Sequence, residues 1–182
     1  MDTLIAINAK NDIPAVYRET PIGLFLEYHN LDRSFESYSQ AQLLIGMCMD
    51  NRKHMHIPDN FAFIIRTGGA NLRYSEFKVS FAIAIGGVSH IALIGHTQCG
   101  MVNLAPRKEA FIKGLVERAG WTPAQAEEHF NTFMPMHEIV NAPDFILSEA
   151  SRLRAKYPKI TVAPMLYKVE DNRLYLLKEK SA

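Results

Sequence analysis

The chain has little cysteine, little tryptophan, no surplus of charge of either sign and no long apolar run. Two cysteines and one tryptophan occur in 182 residues, too few cysteines for the disulfide frameworks of small secreted domains. Lysine and arginine number 20 against 19 aspartates and glutamates, a formal net charge of +1. That balance excludes the broad basic surface on which non-specific nucleic-acid or anionic-membrane binding depends. The longest apolar stretch, Phe81 to Val88, falls far short of the ~18 residues of a membrane-crossing helix. The run from Met1 to Asn8 has an acid before its apolar residues and no basic segment, so it does not read as a secretory leader, and a cytoplasmic location is expected. What is present, 48% hydrophobic and 21% charged residues, describes one ordinary soluble domain over 1–182. At this length a domain buries roughly 70% of its unfolded surface without disulfides or a structural metal. In a reducing compartment Cys48 and Cys99 are then free, catalytic or metal-bound, and composition does not choose between these.

No repeat, low-complexity tract or linker interrupts the chain. Residues 1 to about 20 read as an arm. From Pro21 to about Ser37, the residues Ile22, Leu24, Phe25, Tyr28 and Leu31 recur at mostly three- and four-residue spacing, which predicts a helix lying on the body or on a second subunit. Segment 1–37 is thus the candidate for packing on a partner subunit. Leu43–Cys48 is a short continuous apolar run, as in a strand buried on both faces of a parallel sheet, and Phe61-Ala62-Phe63-Ile64-Ile65 repeats it. Arg66-Thr67-Gly68-Gly69-Ala70 follows, then a helical stretch from about Ser75 to Ile85 that stops at Gly86-Gly87, then a third buried strand, Ile91–Gly95. Strand, loop, helix and strand make a right-handed crossover, with ligands expected beyond the carboxyl ends of the strands.

The second half reads as helical: about Arg107 to Ala119, a helix opened by the capping pattern Thr122-Pro123-Ala124-Gln125, and about Pro143 to Lys156. Ile160 to Tyr167, a polar turn at Glu170-Asp171-Asn172 and Leu174 to Leu177 read as a terminal hairpin, with Pro164 arguing that its strand lies at an edge. The expected fold class is α/β, a mainly parallel central sheet flanked by helices with an antiparallel edge hairpin.

Each cysteine stands at the carboxyl end of a predicted strand. Cys48-Met49-Asp50-Asn51-Arg52 ends the first, and Gly95-His96-Thr97-Gln98-Cys99-Gly100 the third. If those strands are neighbours, two sulfurs and one imidazole converge, a donor set that suits zinc. Three protein ligands with an open fourth position mark a catalytic zinc, which lowers the pKa of bound water from 15.7 to roughly 7 in the best-known site. Asp50 is the conditional fourth ligand. It lies close enough to Cys48 to reach the metal, yet Arg52 offers the same carboxylate a bidentate clamp. Held by Arg52, Asp50 leaves the fourth position open; on the metal, it closes the site.

The ordinary reading of these residues is two buried thiols, a hydrogen-bonded histidine and an ion pair worth ~0–1 kcal/mol. Two motifs in matching strand-end contexts favour zinc over that reading. His54 and His56 read as solvated loop residues, and His90, His129 and His137 as surface or helix-packing residues. Gly68-Gly69 belongs to no phosphate-loop pattern.

Cys-x-Asp-x-Arg at 48–52, His-x-x-Cys-Gly at 96–100 and Phe63-Ile64-Ile65-Arg66 with its glycine-containing turn resemble the β-class carbonic anhydrases over about residues 42–105. The short length and the Gly-His-Thr-x-Cys-Gly-Met form are more similar to the small archaeal and bacterial subgroup than to the longer plant enzymes. The resemblance implies zinc on Cys48, His96 and Cys99, an Asp50–Arg52 catalytic dyad, and reversible hydration of carbon dioxide to bicarbonate and a proton. It further implies a homodimer or dimer of dimers that builds each site near a subunit boundary. Phe63 and Phe81 fall where the family places apolar walls around its substrate. The turn Thr67-Gly68-Gly69-Ala70 departs from the family's usual Asn-Ala-Gly-Asn. Two alternatives stand beside this reading: a carbonyl sulfide or carbon disulfide hydrolase on the same fold, and a non-catalytic zinc-binding scaffold, against which the intact Asp50 and Arg52 argue.

Overall fold

The computed structural model describes residues 4–179; Asp2, on which the leader reading draws, lies outside them. Its strands are β1 (Leu4–Ala6), β2 (Leu43–Cys48), β3 (Ala62–Thr67), β4 (His90–His96), β5 (Thr161–Lys168) and β6 (Arg173–Leu177), and its helices α1 (Ala15–Arg18), α2 (Pro21–Leu31), α3 (Glu76–Ala84), α4 (Lys108–Ala119), α5 (Pro123–His137) and α6 (Ala142–Lys156). One sheet holds all six strands in the order β1-β6-β5-β4-β2-β3. The pairs among β3, β2, β4 and β5 are parallel, and those of β6 with β5 and with β1 are antiparallel. The expected α/β class is the one that forms.

Alternation along β2 divides the core. Leu43, Ile45 and Met47 join Phe25, Leu26 and Tyr28 of α2 on one face; Leu44 and Cys48 join Val79 of α3 and Ile146, Ala150 and Leu153 of α6 on the other. Helix α2 therefore packs on its own sheet. Ile22, Phe25, Leu26 and Tyr28 are fully buried, each such side chain contributing about 1.5–3 kcal/mol. The helix starts on Thr20, whose hydroxyl accepts the Ile22 N–H. It ends well before Ser37, because Asp32 turns left-handed (φ 51°) and the Asp32 and Arg33 N–H groups both return to the Glu27 carbonyl. Helices α4 and α5 form a hairpin outside these layers: α4 buries no residue, and α5 buries only Ala126 and Phe130. The capping box opening α5 is present, with Gln125 N–H donating to the Thr122 hydroxyl and Thr122 N–H to Gln125 Oε1.

The arm contributes Leu4–Ala6 as the outermost strand, beside β6; three residues are too few to show a period. Two expectations are corrected. Phe61–Ile65 is not a doubly buried strand: β3 is the opposite edge, and Phe63 and Ile64 are exposed. Pro164 does not mark an edge strand, because β5 lies between β4 and β6. The ladder to β6 begins only at Met165↔Leu176, so the proline sits where one of the two ladders has not started.

Candidate metal centre

Strands β2 and β4 are hydrogen-bonded neighbours in parallel register, so their carboxyl ends deliver Cys48 and His96 to one place. The turn after β4 then doubles back, with Gln98 in the left-handed region (φ 56°), an uncommon conformation for a residue with a side chain, and brings Cys99 to the same place. One ligand atom from each of Cys48, His96 and Cys99 lies within 4.8 Å of the other two, and all three residues are buried. His96 Nδ1 lies 2.8 Å from the Thr97 carbonyl; a carbonyl only accepts, so Nδ1 carries the proton and Nε2 is the free lone pair. That Nε2 is buried without any hydrogen-bond partner, a costly condition unless a ligand meets it. Two thiols and an unpartnered imidazole nitrogen, closed off from water, fit a zinc-type ion.

The Cys48 sulfur is prepared for that role. The hydrogen bond from Cys99, with further ones from the Asp50 and Gly69 amides, holds the Cys48 thiol well below its ordinary pKa. The same contact, together with burial, pushes Cys99 up. The amide donor at Gly69 depends on the turn after β3, where Gly69 (φ 63°) and Ala70 (φ 63°) are both left-handed; glycine takes that region freely, alanine with strain.

Asp50 and Arg52 meet as a fork. Arg52 Nε donates to Asp50 Oδ1 at 3.0 Å and Nη2 to Oδ2 at 2.8 Å, while the Arg52 amide adds a third bond to Oδ1 at 2.9 Å. The guanidinium keeps the Asp50 carboxyl far below the usual carboxylate range. Both carboxylate oxygens are therefore engaged by Arg52.

Further contacts, some from residues to which the motifs gave no role, complete the frame. Arg52 Nη1 and Nη2 also donate to the side chain and backbone carbonyl of Gln98, each at 3.0 Å, tying the β2 turn to the β4 turn. Glu170, from the β5–β6 hairpin, accepts from Gln98 Nε2 at 2.9 Å and from the Thr97 hydroxyl at 2.8 Å. Arg66 donates to the Cys48, Asp50 and Lys53 carbonyls. Glu170 carries no local signal; only the sheet order brings its turn beside β4.

Two hollows flank the ligand turns. A cleft of about 650 Å³ is lined by His96, Gln98, Cys99, Asn103, Arg107 and Asn141. An apolar chamber of about 540 Å³ lies against Met49, Gly68, Gly100 and Met101, with Phe111, Phe130 and Phe133 of the α4–α5 hairpin on its far side. His129 and His137 line this chamber. Phe63 and Phe81 do not reach either hollow. His56 bonds the Tyr28 carbonyl and the His29 ring, away from the ligands.

No protein-family model and no curated protein sequence matches the chain. Solved structures do. It is similar to the β-carbonic anhydrase isoform I of the protozoan Trichomonas vaginalis, with 17% identity over 80% of this chain and 88% of that one and a TM-score of 0.64. It is similar to a carbonic anhydrase from Glaciozyma antarctica, with 18% identity over 78% and 85% of the two chains and a TM-score of 0.61. A third similar structure is the apo form of a carbon disulfide hydrolase, with 21% identity over 74% and 77% and a TM-score of 0.54. At such identities the likeness is one of fold, and the fold is that of the β-carbonic anhydrases.

Proposed function

We propose that this chain is a zinc-dependent enzyme that interconverts carbon dioxide with bicarbonate and a proton. The observation that carries the reading is the convergence of Cys48, His96 and Cys99, with a buried unpartnered Nε2, beside an aspartate held by Arg52. Zinc on these three residues would supply Lewis acidity, which makes water nucleophilic near neutral pH. Asp50, kept ionised and fixed by Arg52, accepts the hydrogen bond of the attacking water and orients it. Arg52 is in turn held by Gln98, and the Thr97 carbonyl fixes the tautomer and plane of His96. The chamber walls shield an uncharged substrate from bulk water.

Zinc content measured together with the initial rate of carbon dioxide hydration tests the reading. About one zinc per chain and a hydration rate abolished in Asp50→Ala, with zinc retained, are expected. Hydration that survives Asp50→Ala unchanged overturns the assigned role of the dyad. Wild-type protein that holds zinc without turnover leaves the scaffold alternative, and protein without zinc from both aerobic and anaerobic purification overturns the metal centre.

Hydrolysis of carbonyl sulfide or carbon disulfide by the same residues is the second reading. It draws on the chamber, whose walls of Met49, Met101, Met134 and phenyl rings suit a polarisable apolar molecule, and one similar structure is a carbon disulfide hydrolase. Side-by-side turnover of the three substrates separates the two.

We also infer a homodimer. Edge strand β3 and helix α3 expose Phe63, Ile64, Phe77 (81%), Phe81 and Ile85 (74%), an apolar face with an unpaired strand edge that a second copy would cover. Ile64→Lys is expected to move sedimentation from dimer to monomer. Two buried free thiols in the ligand set are in keeping with a cytoplasmic, reducing location.

A further inference from the structure

The turn after β2 contains the one lysine that is fully buried among the described residues, Lys53. Its Nζ donates to the backbone carbonyl of Asp50 at 3.2 Å, and no carboxylate lies within ion-pair distance of it among the described residues. Taking an ammonium out of water costs several kcal/mol, and desolvation lowers the lysine's pKa. A methionine or leucine would fill the space without that cost, so packing alone gives no reason for lysine here.

The contact has a specific location. The same Asp50 carbonyl also accepts from Arg66 at 3.3 Å, and the Asp50 amide donates to the Cys48 sulfur. The peptides on both sides of the Asp50 α-carbon are therefore fixed, which fixes the direction of its Cα–Cβ bond. That direction delivers both carboxylate oxygens to Arg52. Releasing the carbonyl would let the bond tilt back toward Cys48 and the metal position.

We propose that Lys53 is a positioning residue: by anchoring the Asp50 carbonyl it keeps the Asp50 carboxylate on Arg52 and the fourth metal position exchangeable. The anchor needs an N–H donor and not a charge, since ammonium and amine both donate. The proposal rests on the metal-centre reading above, but its test does not depend on carbon dioxide turnover.

The experiment is an azide titration of the cobalt-loaded chain, followed by visible absorption, because azide perturbs the cobalt bands only where a position can be exchanged. Wild type is expected to bind one cobalt and to respond saturably. Lys53→Met should retain cobalt and lose about tenfold in azide affinity, the upper end of what one hydrogen bond contributes. Adding Asp50→Ala to Lys53→Met should restore the response, since the competing ligand is then gone. Lys53→Gln, which keeps a donor, should stay within about twofold of wild type. Lys53→Leu is read in the same way if the methionine variant does not fold.

A Lys53→Met chain that binds azide like wild type overturns the proposal, as does a loss that Asp50→Ala does not reverse, or a Gln variant that loses as much as the Met variant. A cobalt-loaded wild type blind to azide also overturns it, because its site is then closed at rest. A wild type that binds no cobalt instead overturns the metal centre itself.

Discussion

The two turns that meet at the centre are built on opposite plans. The turn after β4 supplies two of the three candidate ligands, His96 and Cys99, with a left-handed kink at Gln98, and is tied from outside by Glu170. The turn after β2 supplies the third candidate, Cys48, and the carboxylate Asp50, which on the proposed reading would compete for the metal. It is held through its own carbonyls by Arg66 and Lys53. One turn is a scaffold and the other a gate, and Arg52, bonded to both Asp50 and Gln98, links them. Damage to the scaffold should therefore remove the metal, whereas damage to the gate should spare the metal and remove the activity.

The largest expected effect is on the scaffold. His96→Ala or Cys99→Ser should lower bound zinc from about one per chain to under about a tenth, with no measurable hydration, because a three-ligand site does not survive on two. Mild thiol oxidation should do the same to wild type, since a Cys48–Cys99 disulfide uses up both sulfurs; metal analysis before and after diamide treatment checks it. Next comes the gate. Asp50→Ala and Arg52→Ala should keep zinc and lose about 100-fold or more in hydration rate, the scale of a lost orienting or acid–base group. If either variant loses its zinc, the division between the turns is wrong.

Smaller effects sharpen the comparison. Glu170→Ala removes the outside tie to Thr97 and Gln98 and should weaken zinc retention against a competing chelator severalfold, with a lesser change in rate. Two thiolates would cancel the formal charge of a bound zinc ion, so hydration should rise from neutral to alkaline pH; a profile flat between about pH 6 and 9 would count against that control. The smallest effect is in stability. Arg52 lowers the folded pKa of Asp50, so the stabilisation is fully present above the unfolded value of about 4, shrinks below it and is gone once pH has fallen through the folded value. The stability gap between wild type and Asp50→Asn, measured by denaturant titration at several pH values, should close on acidification and not open.

Both turns were legible at their motif residues. Cys48, His96 and Cys99 stand in short motifs at the ends of apolar runs, and each run, Leu43–Cys48 and Ile91–Gly95, coincides with a strand to within a residue or two. Helices α4, α5 and α6 fall where the second half reads as helical, α5 from its capping pattern. Less could be read wherever the deciding partner is distant in sequence. Glu170 is 73 residues from Thr97 in sequence and meets it only because β5 lies beside β4, and Lys53 is buried only because of what packs over it, although lysine in a loop ordinarily points to solvent. The edges were misread for a related reason. Phe63 and Ile64 have the composition of a buried strand, and composition reports whether a surface avoids water, not which chain covers it.

Strands β1 and β6 are neighbours in space although Leu4 and Leu177, which pair, come from opposite ends of the described chain. Closing so large a loop is entropically the costliest step in the sheet, so it follows the local β5–β6 hairpin in the order of folding. Until it happens, β6 shows a row of unpaired amides and carbonyls. During refolding at high concentration, the first strand of another copy can fill that row as well as the chain's own, so the yield of exchanged oligomer should rise with concentration while the secondary structure stays the same.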